Sequence, residues 1–291
     1  MPEGKIIKAL SGFYYVLNEE KIIQCRGRGI FRKQNITPLV GDYVEYEAEN
    51  DKEGYVLSIE ERKNELTRPP IANLDQAVLV FSAMEPSFST TLLDRFLVLI
   101  ESKDIEPIIC ITKTDLLNKV DELAHYVSNY RNIGYTVIET SSETFNGLEA
   151  LGDYLKGKTS VFAGQSGVGK SSLLNAIRPD LRLKTDEISN SLGRGKHTTR
   201  HVELIPAAGG LVADTPGFSS LDFEGIEVEE LSSCFPEMAE RSNACKFRGC
   251  IHVNEPKCAI KKAVEDGDIP THRYDHYLQF IEEIKERKPR Y

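Results

Sequence analysis

Thr159-Ser160-Val161-Phe162-Ala163-Gly164-Gln165-Ser166-Gly167-Val168-Gly169-Lys170-Ser171-Ser172-Leu173-Leu174-Asn175-Ala176-Ile177 is the stretch that decides the fold. It opens with a short apolar run of strand character. The next eight residues, Gly164 to Ser171, read G-x-x-x-x-G-K-[ST], and Leu173, Leu174 and Ile177 follow at helical spacing. A strand, a glycine-rich turn and a helix N-terminus together make a phosphate cradle. The glycines let backbone N–H groups converge on phosphate oxygens, and the helix dipole favours negative charge there. Gly164, Gln165, Ser166, Gly167, Val168 and Gly169 line the cradle. Lys170 reaches the β- and γ-phosphates, and Ser171, followed by Ser172, offers a hydroxyl to Mg²⁺.

Upstream of this unit, Gln76–Phe81 is a continuous apolar run of the kind buried in a parallel sheet. Leu92–Ile100 has helical spacing. Ile108–Ile111 is a second buried strand ending in Thr112-Lys113-Thr114-Asp115, and Tyr135–Glu139 is a third, ending in Thr140-Ser141-Ser142. Helices are predicted near 116–130 and 148–155. Alternating strands and helices imply a parallel α/β sheet with its ligand at the carboxyl ends of the strands, where all these polar clusters fall. Downstream, 182–200 has little periodicity and much charge, and reads as a loop. Strands near 201–205 and 210–213 follow, the second ending in Asp214-Thr215-Pro216-Gly217-Phe218.

The remaining chain is of different character. Residues 1–68 read as short strands, with candidates at 12–17, 21–26, 43–48 and 54–59, in the style of a five-stranded OB-fold barrel. Between Lys21 and Gly41 there is no acidic residue, while Lys21, Arg26, Arg28, Arg32 and Lys33 are present with Phe31 among them. Basic groups beside an aromatic ring suit RNA phosphates and a stacked base. At the other end, Cys245-x4-Cys250-x-His252-x5-Cys258 offers three thiolates and an imidazole, a donor set for a closed, structural Zn²⁺ site. Lys246, Arg248, Lys257, Lys261 and Lys262 surround it. Tyr274, Tyr277, Leu278, Ile281 and Ile284 then mark an amphipathic helix, expected to pack on its own domain.

A length of 291 residues suggests two or three domains. The formal net charge of −9 excludes a whole-chain nucleic-acid signature, so such contact must come from local patches. No apolar run approaches the ~18 residues of a membrane helix, and the N-terminus lacks a signal-peptide pattern. A cytoplasmic protein without disulfides is expected.

Thr112-Lys113-Thr114-Asp115 resembles the guanine-reading N-K-x-D motif of GTPases, with Thr112 in place of the commoner Asn. Asp115 can accept from N1–H and the exocyclic amine of guanine, and Lys113 can lay its stem across the base. Such pairing can discriminate by a factor on the order of 10⁴. Thr140-Ser141-Ser142 resembles the loop whose backbone meets guanine O6. Asp214-x-x-Gly217 resembles the motif in which Asp214 holds Mg²⁺ through water and the Gly217 N–H touches the γ-phosphate. These GTPase motifs stand in permuted order, with the base-reading pair first, and closely spaced termini tolerate such a rearrangement.

The permuted order, the preceding barrel and the following Cys/His cluster together resemble the RsgA (YjeQ) family over essentially the whole chain. The resemblance implies a GTPase that binds the small ribosomal subunit and its rRNA, assists late maturation, and hydrolyses GTP faster when bound there. It implies an α/β fold in three parts: an OB-fold RNA-binding domain at 1–68, a circularly permuted GTPase domain at 69–222, and a zinc-binding helical domain at 223–291. A monomer is expected. Phe218 occupies the place where many GTPases put a water-orienting Gln. His197 is therefore the candidate for positioning water, and Thr199 the candidate to bind Mg²⁺ and sense the γ-phosphate. A P-loop ATPase or kinase, and a nucleotide-gated scaffold with incidental hydrolysis, are the rival readings. Asp115 and the Asp214 strand argue against the first, and subunit-independent slow turnover would favour the second.

Overall fold

The structure is a computed structural model that describes residues 1–33, 35–117, 121–178, 202–214 and 221–287, apart from the side chains of Ile30, Arg32, Asp121, Glu122 and Asp214. Five strands make the N-terminal barrel: β1 (Glu3–Leu10), β2 (Phe13–Asn18), β3 (Lys21–Gly27), β4 (Tyr43–Ala48) and β5 (Gly54–Ile59). β1 pairs antiparallel with both β2 and β4, β2 pairs with β3, β3 runs parallel to β5, and β5 pairs with β4. The ring therefore closes, as in an OB-fold. β1 lies outside the four predicted strands, because Lys5 and Lys8 interrupt its apolar pattern. The turn before β4 requires glycine: Gly41 has φ +95°, and a Cβ there would lie 1.9 Å from the Ala72 carbonyl oxygen. A small hairpin, β6 (Glu65–Thr67) and β7 (Pro70–Ala72), spans Arg68-Pro69-Pro70.

The second sheet holds β8 (Gln76–Ser82), β9 (Glu106–Thr112), β10 (Thr136–Glu139), β11 (Thr159–Ala163), β12 (Glu203–Ala207) and β13 (Gly210–Asp214). Their spatial order is β10-β9-β8-β11-β13-β12, parallel except for antiparallel β12. β11, which feeds the glycine-rich loop, thus lies at the centre between β8 and β13, although it comes late in the chain. Every residue of β8 is buried. Val78 and Val80 face one apolar layer, while Leu79 and Phe81 face the other, as the two-residue strand period dictates. Helix α2 (Thr90–Glu101) covers one face through Leu93, Phe96, Leu97 and Ile100, with Ser89 capping it by accepting from Leu92 N–H. Helices α3 (Asp121–Ile133), α4 (Leu148–Leu155) and α5 (Lys170–Ile177) complete the α/β layers.

The two sheets are continuous. β1 pairs with β12 through Lys8 and Glu203, whose side chains form an ion pair at 2.8 Å. Deeper in, Lys5 Nζ donates to Thr159 Oγ1 at 2.6 Å. The barrel is thereby fastened to the first residue of the phosphate-loop strand.

The C-terminal part is helical: α6 (Pro236–Ser242), α7 (Ala259–Glu265) and α8 (Thr271–Glu286). Tyr277, Phe280, Ile281 and Ile284 of α8 bury against Phe235, Met238 and Ile260, and Val98 of α2 joins the same cluster. The amphipathic face of α8 thus serves its own core, as its spacing predicts.

Candidate functional site

The loop after β11 wraps over the carboxyl ends of the central strands. Gly164 begins it at φ +149°, and a Cβ there would meet the Val80 carbonyl oxygen at 2.1 Å, so only glycine lets this backbone pass. Gly167 and Gly169 also have positive φ. Val168 is buried as an apolar anchor, while Gln165, Ser166 and Gly167 face solvent. Gly169 caps α5, so Lys170, Ser171 and Ser172 form its first turn, where N–H groups lack helical partners. Lys170 Nζ donates to the carbonyls of Gly164 at 2.7 Å and Gln165 at 2.6 Å. Burial pulls its pKa down to about 8.

The loop after β9 is tied to this one. Thr112, buried at the strand end, donates its hydroxyl toward Val168 O at 2.5 Å, with Phe81 O at 3.2 Å. Lys113 sits at φ +59°, and its ammonium donates to Gly167 O at 2.9 Å and to Glu85 O. Asp115 is exposed at the same edge. Ser141 Oγ donates to Asp115 Oδ1 at 2.5 Å and itself accepts from the N–H groups of Glu143 and Thr144. Thr140 O receives both the N–H and the hydroxyl of Thr114. The Thr112, Asp115, Ser141 and Ser142 loops and the glycine-rich loop therefore form one hydrogen-bonded edge. The Ser141–Asp115 bond has no signal in the sequence, since 26 residues separate the partners.

His197, Thr199, Gly217 and Phe218 lie outside the described residues, as does the Asp214 side chain. The Asp214 backbone ends β13, next to β11, and pairs with Glu203.

At the far end, Cys245, Cys250, His252 and Cys258 converge, with their ligand atoms all within 4.8 Å of one another. Cys245 Sγ is 3.9 Å from Cys258 Sγ and 3.6 Å from His252 Nδ1, and His252 Nδ1 is 3.3 Å from Cys258 Sγ. Tetrahedral zinc requires sulfur–sulfur spacings of about 3.8 Å and sulfur–nitrogen spacings of about 3.5 Å. The donor set and its spacing fit that ion. Burial lowers the His252 pKa, which favours the neutral imidazole a metal needs. The surrounding backbone is held by Tyr274 OH on His252 O, Tyr277 OH on Ile251 O, and Glu255 accepting from the N–H groups of Ile251 and Val253.

On the barrel, Arg26, Arg28 and Lys33 are exposed, and the Arg32 side chain lies outside the description. Phe31 is not the exposed ring its basic neighbours suggest. It is only 6% exposed and packs in the barrel core. It sits in the short helix α1 (Gly29–Lys33), which turns its one large aromatic ring inward.

The RsgA GTPase family model matches residues 59–224, and the RsgA N-terminal domain model matches residues 3–56. The chain belongs to the RsgA GTPase family. A Bacillus subtilis (strain 168) relative called small ribosomal subunit biogenesis GTPase RsgA is 67% identical over 298 aligned positions, covering 100% of both chains. The crystal structure of YloQ, described as a circularly permuted GTPase, is 63% identical with a TM-score of 0.87, covering 100% of this chain and 97% of that one. That of YjeQ from Thermotoga maritima is 40% identical with a TM-score of 0.88, covering 99% of each. The RsgA GTPase match spans β8 to β13, hence the loops after β9, β10 and β11. No described helix is long and apolar enough to cross a membrane.

Proposed function

We propose that this RsgA-family GTPase binds GTP along the edge formed by the loops after β9, β10 and β11, and acts on the small ribosomal subunit. The reading rests on the bond from Thr112 to Val168 together with that from Ser141 to Asp115. These tie the base-reading loops to the phosphate loop as a single site. In it, Asp115 accepts from guanine N1–H and the exocyclic amine, Lys113 covers the base, and the Ser141-Ser142 backbone meets O6. The N–H groups from Gly164 to Gly169 cradle the phosphates, with Lys170 on the β- and γ-phosphates and Ser172 in the same first turn. Mg²⁺ supplies charge neutralisation at the phosphates, and Ser171, Asp214 and Thr199 would hold it. His197 orients the attacking water, and Gly217 senses the γ-phosphate.

The ribosomal partner comes from the relatives' shared name and from the exposed Arg26, Arg28 and Lys33, with Arg32 beside them, as rRNA contacts. Stimulation of hydrolysis by the subunit during late maturation belongs to the same proposal. So does the division into a barrel at 1–68, the GTPase at 69–222 and a zinc-stabilised part at 223–291. Cys245, Cys250, His252 and Cys258 would hold one structural Zn²⁺.

The test is GTP hydrolysis with and without purified small subunits, alongside competition by GTP, ATP and XTP. Stimulation by small but not large subunits is expected. Asp115→Asn should move preference from GTP toward XTP, because the amide offers a donor where guanine needs an acceptor. Unstimulated turnover defeats the ribosomal reading, and an unchanged GTP preference in the variant defeats the base assignment.

A further inference from the structure

The outer face of the barrel carries a row of side chains that are remote in sequence. Phe13 opens β2, Arg26 stands near the end of β3, and Tyr55 lies near the start of β5. The strand register puts Phe13 opposite Arg26 and Arg26 beside Tyr55. Cross-strand partners share a face. Their neighbours Cys25 and Val56 are fully buried in the barrel core, so Arg26 and Tyr55 must point outward. Tyr55 is 48% exposed. The Arg26 guanidinium lies over the Phe13 ring, with Cζ 5.0 Å from the centroid. The row lines a groove of about 790 Å³ whose other wall is the end of β4 and the β4–β5 loop, Glu47 to Gly54. Oligonucleotides bind at this place on five-stranded barrels of this topology.

The chemistry of the groove selects among ligands. Glu47, Glu49 and Glu53 line it against Arg26 and Lys52, so a phosphate is disfavoured inside. A neutral base is not, and carboxylates accept hydrogen bonds from base amino groups. A guanidinium lying over one ring, with a second ring beside it, is a platform for a flat π-system. Arg28, exposed just past the end of β3, and Lys33, exposed at the end of α1, supply positive charge outside the groove.

We propose that Phe13, Arg26 and Tyr55 form a stacking platform for an unpaired RNA base, with Arg28 and Lys33 taking the flanking phosphates. This deepens the ribosomal reading above and rests on it for the identity of the RNA. The platform reads no duplex, because paired bases are stacked on one another and cannot be splayed onto a ring.

The test uses the full chain with a short fluorescein-labelled oligoadenylate and, in parallel, an RNA duplex of equal length. Wild type should bind the single strand and discriminate against the duplex. Tyr55→Ala should weaken binding roughly 5- to 150-fold, the range for a lost base–aromatic stack, without changing the salt slope. Tyr55→Trp should restore binding, which a merely structural role for Tyr55 would not predict. Arg28→Gln with Lys33→Gln should instead flatten the salt slope. Thermal melts accompany each variant, and a Tyr55→Ala chain that does not melt cooperatively is replaced by Tyr55→Leu, which keeps bulk but not the ring. Affinity within about twofold of wild type for the ring-less variant overturns the platform, as does equal binding of the duplex or no binding of the single strand. Small subunits are added to wild type in the same preparation. A wild type they do not stimulate defeats the ribosomal reading. A stimulated wild type whose ring-less variant binds oligoadenylate normally defeats the platform alone.

Discussion

Thr112 places its hydroxyl 2.5 Å from the carbonyl oxygen of Val168, across 56 residues of chain. This bond gives the Thr that stands for the commoner Asn a physical role, because it ties the loop after β9 to the glycine-rich loop after β11. Both residues are buried, so removing the donor leaves a carbonyl without a partner. Thr112→Val keeps the shape and loses the bond. GTP affinity should fall by about 1 kcal/mol, roughly fivefold, with the fold intact. Thr112→Ser keeps the hydroxyl and should bind nearly as wild type. Titration with a fluorescent GTP analogue checks both, and equal affinities for Val and Ser would remove the bond from the site's energetics.

Arg273 is fully buried between two carboxylates. Nη1 is 2.6 Å from Asp94 Oδ1, and Nε is 2.7 Å from Glu237 Oε1. Asp94 also accepts from Tyr130 OH at 2.6 Å and pairs with His276 Nδ1. The network joins α2, α3, α6 and α8. Arg273→Met would leave two buried carboxylates without their partner and should cost about 3–5 kcal/mol. A lowered urea midpoint with unchanged slope is the expected signature.

The same network carries a pH dependence. Burial alone would raise the Asp94 pKa, but Arg273 and the hydrogen bonds from His276 and Tyr130 outweigh it and hold the pKa below the ordinary carboxylate value. A depressed folded pKa contributes stability that is present above the unfolded value of about 3.9 and is lost as pH falls through the folded value. Wild type should therefore lose stability on acidification below about pH 4, and Asp94→Asn should lose less over that interval. Urea midpoints on either side of pH 4 measure the difference. Parallel pH profiles for the two proteins would exclude Asp94 as a contributor.

What could be read from the chain was local. The glycine-rich turn, the uniformly apolar β8 and the Cys/His spacing each carry their meaning within about twenty residues, and the structure assembles them accordingly. What escaped was made by register. Phe31 looked like the aromatic partner of the basic segment because it is adjacent in sequence, yet its helix turns it into the core. Phe13 and Tyr55 flank Arg26 only because β2, β3 and β5 are neighbours. Arg273 stands in phase with Tyr277, Phe280 and Ile284 on the buried face of α8, where its charge breaks the apolar pattern, and nothing nearby indicates that Asp94 waits 179 residues upstream. Ser141 was read for its backbone, while its hydroxyl is what fixes Asp115.

The Cys/His cluster predicts a metal-dependent C-terminal part. Cys250→Ser removes one of the thiolates, and the remaining donors hold zinc more weakly. Tyr274 and Tyr277 hydrogen-bond to the backbone of this loop from α8, so loss of the ion should loosen α8 as well. Elemental analysis of wild type should find about one zinc per chain, and a chelator should lower the melting temperature. Zinc-free wild type with an unaltered melt would show that the cluster does not need a metal to fold.

Lys170 makes the last prediction, on the pH dependence of nucleotide binding. Its ammonium donates to the Gly164 and Gln165 carbonyls, and burial pulls its pKa down to about 8. Phosphate oxygens brought against it favour the charged form and raise that pKa. A group whose pKa rises on binding takes up protons, so GTP binding should take up about half a proton at pH 8. Affinity should accordingly fall as pH rises above 8, by roughly fourfold between pH 7 and 8.5. Calorimetric titrations in buffers of different ionisation enthalpy read the proton uptake directly. Confining the range to pH 8.5 and below limits ionisation of the guanine N1–H, which Asp115 needs intact. Proton release at pH 8, or an affinity that does not change over this range, would show that Lys170 is already fully charged before the phosphates arrive.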